Sequence, residues 1–188
     1  MTFNKYLAAG LLYLGTVPAA FACAFHATPE VHLEGMYPGS LTVAVALRNA
    51  ADNGVIDAAA LEAPGNGTAL YDDTVKRLQA FRNTLAASPA AAELPPSFSL
   101  GYVESHLWAR FSRSDGKVSV DIHTEGPVEG EAVVITGEPV LTAVLAGRLS
   151  LDRAMADGMM LVDGNESQKA AIRQALKSTS MGSRISQR

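Results

Sequence analysis

The chain has little that could hold a fold together covalently or attract a charged polymer. Its 188 residues include one cysteine, Cys23, so no disulfide can form within a chain and burial alone must hold the fold. Charged residues make up 18 % of the sequence, and 15 basic residues stand against 19 acidic ones, for a net charge of −4. That balance excludes nucleic acid as a partner, because phosphates demand a basic surface. It also disfavours anionic membrane surfaces. There is no Gly-x-Ser-x-Gly, no phosphate loop and no His-Glu-x-x-His. Gly65-Asn66-Gly67 is half a dinucleotide fingerprint, but Leu70 stands where its third glycine belongs and no strand precedes it.

What is present begins with a leader. Lys5 supplies a positive start, Tyr6 to Gly15 is an apolar run, Pro18 breaks any continuing helix, and Ala20-Phe21-Ala22 places small residues at both key positions of a cleavage site. Residues 1–22 are therefore read as a secretory signal peptide, with the mature chain starting at Cys23 in the periplasm or outside the cell. A retained anchor is the weaker alternative, since the run is short for a bilayer and contains Pro18. A third is a lipoprotein acylated at Cys23, although Ala20 and Phe21 match that pattern poorly. Loss of Lys5 takes the net charge to about −5. No later segment of the mature chain reaches membrane-spanning length.

Residues 23–39 read as an irregular segment. Residues 40–97 read as a helical extension: Ser40 caps a helix to about Asn53 with Gly54 as its stop, and Asp72 and Asp73 open a second helix to about Ala87. In that second helix Val75, Leu78, Phe81 and Leu85 follow helical spacing. After the Ala/Pro connector 88–97 the period changes to two. Strands are predicted at 98–102, 107–111, 117–122, 132–136 and 159–162, with Ser114-Asp115-Gly116 turning the second into the third. Helices are predicted at 139–146, at 151–157 behind Ser150, and from Asn165 to about Lys177, leaving a polar tail at 178–188. The fold class is α+β: a mostly antiparallel sheet with helices packed on one face.

The order from Val133 to Leu176 carries a resemblance. An apolar helix leads to Gly147-Arg148-Leu149, then to a short helix with Ala154 and Met155, then Gly158, Met160, Val162 and Gly164, then a closing helix. This resembles the C-terminal half of the sterol carrier protein type-2 family, and with the preceding hairpin the likeness covers residues 98–177. Met159 departs from it, standing where the family commonly has lysine. The resemblance implies a non-catalytic SCP-2-like domain with an apolar tunnel between sheet and helices, holding a fatty, sterol-like or isoprenoid molecule. The residues it assigns to that lining are Trp108, Phe111, Val140, Leu141, Val144, Leu145, Met155 and Met160; an ordinary filled core would use the same residues.

Two other clusters carry chemistry. Cys23 and His26, with His32 and Met36 nearby, offer thiolate and imidazole to Cu(I) or Zn²⁺ and suggest a metal or redox accessory protein. Asp121, His123 and Glu125 share one face if their strand runs through them, and could move a proton. A non-catalytic interaction module built on the helices of residues 40–85 is a further alternative. Asn66 and Asn165 begin glycosylation triplets, and Asn165 is better explained as a helix cap. The residues name no cofactor and no protein partner.

The leader makes the first prediction. Intact-mass measurement of exported protein should give a chain beginning at Cys23. Met1 retained on a soluble cytoplasmic form would refute export, and an added acyl mass would assign a lipoprotein.

Overall fold

The computed structural model describes residues 36–61 and 68–185. The leader, the cluster of Cys23, His26 and His32, and the Gly65–Gly67 loop with Asn66 lie outside the described residues. Along the chain run α1 (Ser40–Asp52), α2 (Thr68–Ala87), β1 (Ser97–Tyr102), β2 (Leu107–Ser114), β3 (Lys117–Ile122), β4 (Ala132–Thr136), α3 (Glu138–Leu145), α4 (Leu151–Ala156), β5 (Met160–Asp163) and α5 (Glu166–Ile185). Two short 3₁₀ turns, Ala58–Leu61 and Ala91–Glu93, flank α2.

The strands form one sheet in the order β3-β2-β1-β4-β5. Three of its pairs are antiparallel, as expected, and the central pair β1–β4 is parallel. The β2–β3 hairpin closes on Asp115 and Gly116, both at positive φ (50° and 72°), which is the backbone a tight right-twisted hairpin requires. His123 is also at positive φ (69°) and ends the alternation of β3 at Ile122.

Alternation gives the sheet two unlike faces. One carries Phe98, Leu100, Phe111, Val120, Val134 and Val162, in register across the strands. There α2 lies over β3, and the side chains Phe81 and Leu85 of α2, Leu141 of α3, and Ile172 and Leu176 of α5 meet Phe98, Leu100 and Val134. Phe111 is at the centre of this layer. Its ring stacks on Phe98 at 5.0 Å and meets Phe81 edge-on at 5.2 Å.

The other face meets the segment before α1, and α1 itself contacts β4. Gly101 leaves room there for Trp108, Ile135 and Met36; a Cβ at Gly101 would stand within 3.0 Å of all three. Tyr37 packs edge-on to Trp108 and donates its hydroxyl to Asp163 at 2.8 Å. Burial and then that bond push the Tyr37 phenol up to about 12, and the same bond holds Asp163 below the usual carboxylate range. Arg110 binds Glu131 and the Gly126 carbonyl, tying the 123–131 loop to the same face.

Helix ends depart from the sequence reading in three places. Gly39, at φ 87°, is the N-cap of α1, and Ser40 is its first helical residue. Helix α2 begins at Thr68, so Asp72 and Asp73 fall inside it, beyond the reach of the helix dipole. Helix α5 runs on through the predicted polar tail to Ile185. Its start is as expected: Asn165 and Gln168 bond each other's backbone N–H reciprocally, both at 2.9 Å.

Phe111→Ala should destabilise the domain by about 3–5 kcal/mol, because it empties the contact between α2 and two strands. Urea unfolding followed by circular dichroism checks this; a loss under about 1 kcal/mol would mean that the layer collapses around the gap.

Candidate functional site

The structure places the residues assigned to a tunnel lining at three kinds of position. Phe111, Val140, Leu141, Val144 and Met160 are all buried within the helix-covered layer, Leu145 and Met155 are partly buried at its margin, and Trp108 lies on the opposite face of the sheet from Phe111. One small space in the layer, of about 10 Å³, is lined by nine apolar residues, of which Leu141 belongs to that set. This is roughly the room of one water molecule, with no polar group to hold it.

Nor do Asp121, His123 and Glu125 gather on one face. Asp121 and Glu125 are exposed, while His123 turns away at its positive φ and sets its ring 4.8 Å from Tyr71. The exposed apolar residues of α1, Leu41 and Val45, stand one turn apart.

Space is found on the other side of α3. A groove of about 460 Å³ opens between the segment after α1 and the helices α2 and α3. Val55, Ile56 and Ala60 form one wall, and Pro139, Thr142 and Ala143 of α3 form the other. Asp57, Arg77, Glu138 and Arg148 add charge to the lining. Arg77 pairs with Glu138, and Asp57 accepts the Ala59 N–H at 3.0 Å. Among the described residues no carboxylate pairs with Arg148.

The parallel pair builds the polar end of this groove. β1 and β4 finish side by side, so the residues just past them, Glu104 and Glu138, are brought together at the start of α3. Glu104 Oε1 accepts the Glu138 N–H at 2.6 Å, which satisfies one of the amides that a helix start leaves open. Glu138 turns its own carboxylate to Arg77 and to the Thr74 hydroxyl, the latter at 2.8 Å. Glu104 as a residue is half-buried, but its Oε2 is fully enclosed and has no hydrogen-bond partner among the described residues. Burial pushes the Glu104 carboxyl up to about 7. Burial, and after it the neighbouring Glu104 charge, also raise the Tyr102 phenol far above its ordinary value.

Sequence reasoning missed this cluster, because Glu104 lies in a hairpin turn and Arg77 on a helix 27 residues earlier. One signal was available: a Glu directly before the Pro of an apolar helix places an acid at a helix start.

No family model and no curated protein matches the sequence. Among solved structures, the chain is similar to one named UbiJ-SCP2 ubiquinone synthesis protein, at 16 % identity and a TM-score of 0.42, over 58 % of this chain and 96 % of that one. It is similar to the conserved hypothetical protein TT1886 of Thermus thermophilus, a suggested sterol carrier protein, at 18 % identity and a TM-score of 0.36, over 58 % and 78 % of the two chains. It is also similar to the inverting sec-alkylsulfatase Pisa1 of a Pseudomonas species, at 18 % identity and a TM-score of 0.40, over 52 % of this chain and 16 % of the sulfatase. The chain thus spans a small part of the sulfatase's length.

Thr74→Val should remove one hydrogen bond to Glu138 while Arg77 keeps its own, at a cost of about 1 kcal/mol. The measurement is the urea midpoint at pH 7. No change would mean that water or Arg77 replaces the hydroxyl completely.

Proposed function

We propose that the protein is exported and acts without catalysis, binding a small molecule with an apolar body and a polar group. The observation that carries this reading is the groove beside α3. Its volume of about 460 Å³ lies within the range of small-molecule sites, roughly 300–1,000 Å³. Aliphatic walls supply the driving force, at about 0.8 kcal/mol per buried CH₂. The charged residues of the lining would orient the polar group, with Arg148 the cation least committed to a partner of its own. The ligand class is the lipid-like one that the resemblance to the sterol carrier protein type-2 family implies, but its seat is moved from the closed layer between sheet and helices to the groove. Export rests on the leader residues Lys5 to Ala22. A sulfatase-like activity gains no support from a likeness over so small a part of that enzyme.

The test is titration of the mature protein with a fluorescent fatty-acid probe. Saturable binding is expected. Thr142 is exposed on α3 and lines the groove, so Thr142→Trp should weaken the probe at least tenfold and leave the melting temperature within a few degrees. Val144 is fully buried in the closed layer, so Val144→Trp should instead destabilise the fold by overpacking. Absence of saturable binding would refute the ligand reading. Binding that survives Thr142→Trp unchanged would place the ligand elsewhere.

A further inference from the structure

Glu104 is more than a helix cap. A cap needs one oxygen on the helix amides, and Glu104 Oε1 already provides it. The second oxygen is enclosed without a partner among the described residues, an arrangement that costs an ionised carboxylate more than a neutral carboxyl. We propose that Glu104 is a proton-operated latch: protonated, it holds the start of α3 and the adjoining turn of α1 on the ends of β1 and β4, and ionised, it loosens them. The latch is independent of any ligand in the groove.

The surroundings explain why a proton is the natural occupant. From β1 Tyr102 faces Glu104, and from α3 Glu138 does. From α2 comes Arg77, whose guanidinium is committed to Glu138. No ion pair reaches Glu104 among the described residues. Between β4 and α3 stands Gly137, where a Cβ would lie 3.3 Å from Glu104 Oε2 and 2.9 Å from Leu47 Cδ1 of α1. α1 therefore meets this corner with an apolar side chain, and the glycine lets the carboxyl and Leu47 close on the same spot. The latch thus joins three elements, and among the described residues its charge has no cation of its own.

The pH response has a definite direction. The folded protein holds this carboxyl up to about 7, from an ordinary value of 4.5. A raised carboxyl binds its proton more tightly folded than unfolded, so its contribution to stability is complete below about 4.5 and is lost as pH rises to about 7. Asp163, Glu131 and Glu166 are all held low, so their contributions are lost only as pH falls below the ordinary carboxylate range. The two responses occupy separate pH windows.

The experiment is a carbon-13 NMR titration of glutamate-labelled full chain, with melting temperature and amide exchange recorded from pH 5 to 8. One glutamate carboxyl should titrate near pH 7 and be missing from Glu104→Gln. The Gln variant should melt about 4 °C or more above the unmutated protein at pH 8, where the latter is ionised, and close to it at pH 5. In the unmutated protein, exchange at the first turn of α3, corrected for intrinsic rate, should speed up between pH 6 and 8; in the variant it should not. If no glutamate in the unmutated protein titrates above pH 6, the proposal is overturned, and this holds even if the variant fails to fold. A carboxyl that titrates near 7 with no change in exchange at α3 would equally overturn the latch.

Discussion

Parallel pairing of β1 with β4 carries the rest of the molecule. On one side of it lies the meander β1-β2-β3, which needs only hairpins; on the other lies β4-β5 with α3 and α4 between its strands. The five central pairs from Phe98–Ala132 to Tyr102–Thr136 join these halves. They also align two strand ends, so that the next residues of each strand's chain are set side by side: Glu104 after β1 and Glu138 after β4. A crossover is needed to make strands run parallel, and here the whole 123–131 loop and the hairpin supply it. With no disulfide available within the chain, the pairing is held by apolar cover: Phe98, Leu100 and Val134 meet α2, α3 and α5 on one face. Gly101, Trp108 and Ile135 meet Met36 on the other.

Much of this was legible because local patterns and the fold agree. The period-two runs, the Asp115-Gly116 turn, the Ser150 and Asn165 caps and the apolar helix before Gly147 each predicted its element, and the sheet is mostly antiparallel as read. The parallel centre was not legible. Val133-Val134-Ile135 is apolar at every position, which says that both faces are buried but not which neighbour the strand has. The start of α2 was misplaced because Asp72-Asp73 looks like a first turn, whereas Asp73 pairs with Lys76 inside the helix. Residues 178–185 looked like a tail because they are polar, yet a helix already nucleated and packed can propagate through such residues at little cost per residue.

The site divides in the same way. That α3 matters could be read from its composition: a helix with so few polar positions must be covered on most sides. Which side faces open space could not. Leu141 and Val144 face the closed layer, while Pro139, Thr142 and Ala143 face the groove. The lining set drawn from sequence mixed both faces of the sheet, since Trp108 and Phe111 are three residues apart on one strand and so point oppositely. No pattern along the chain could bring Arg77, Glu104 and Glu138 together, because their meeting depends on the β1–β4 register.

Magnitudes favour the groove over the closed layer as a ligand seat. The space found among Phe81, Phe98, Leu100 and Ile172 in the layer holds about one water, so a hydrocarbon chain entering there must displace protein atoms of equal volume. Each displaced methylene forfeits about what an entering one gains, near 0.8 kcal/mol, and separating α2 or α5 from the sheet breaks packing without return. The groove presents its walls to solvent, and covering them loses no internal contact. Glu138 ties the two environments together: its side chain borders the groove, while its N–H is held by Glu104.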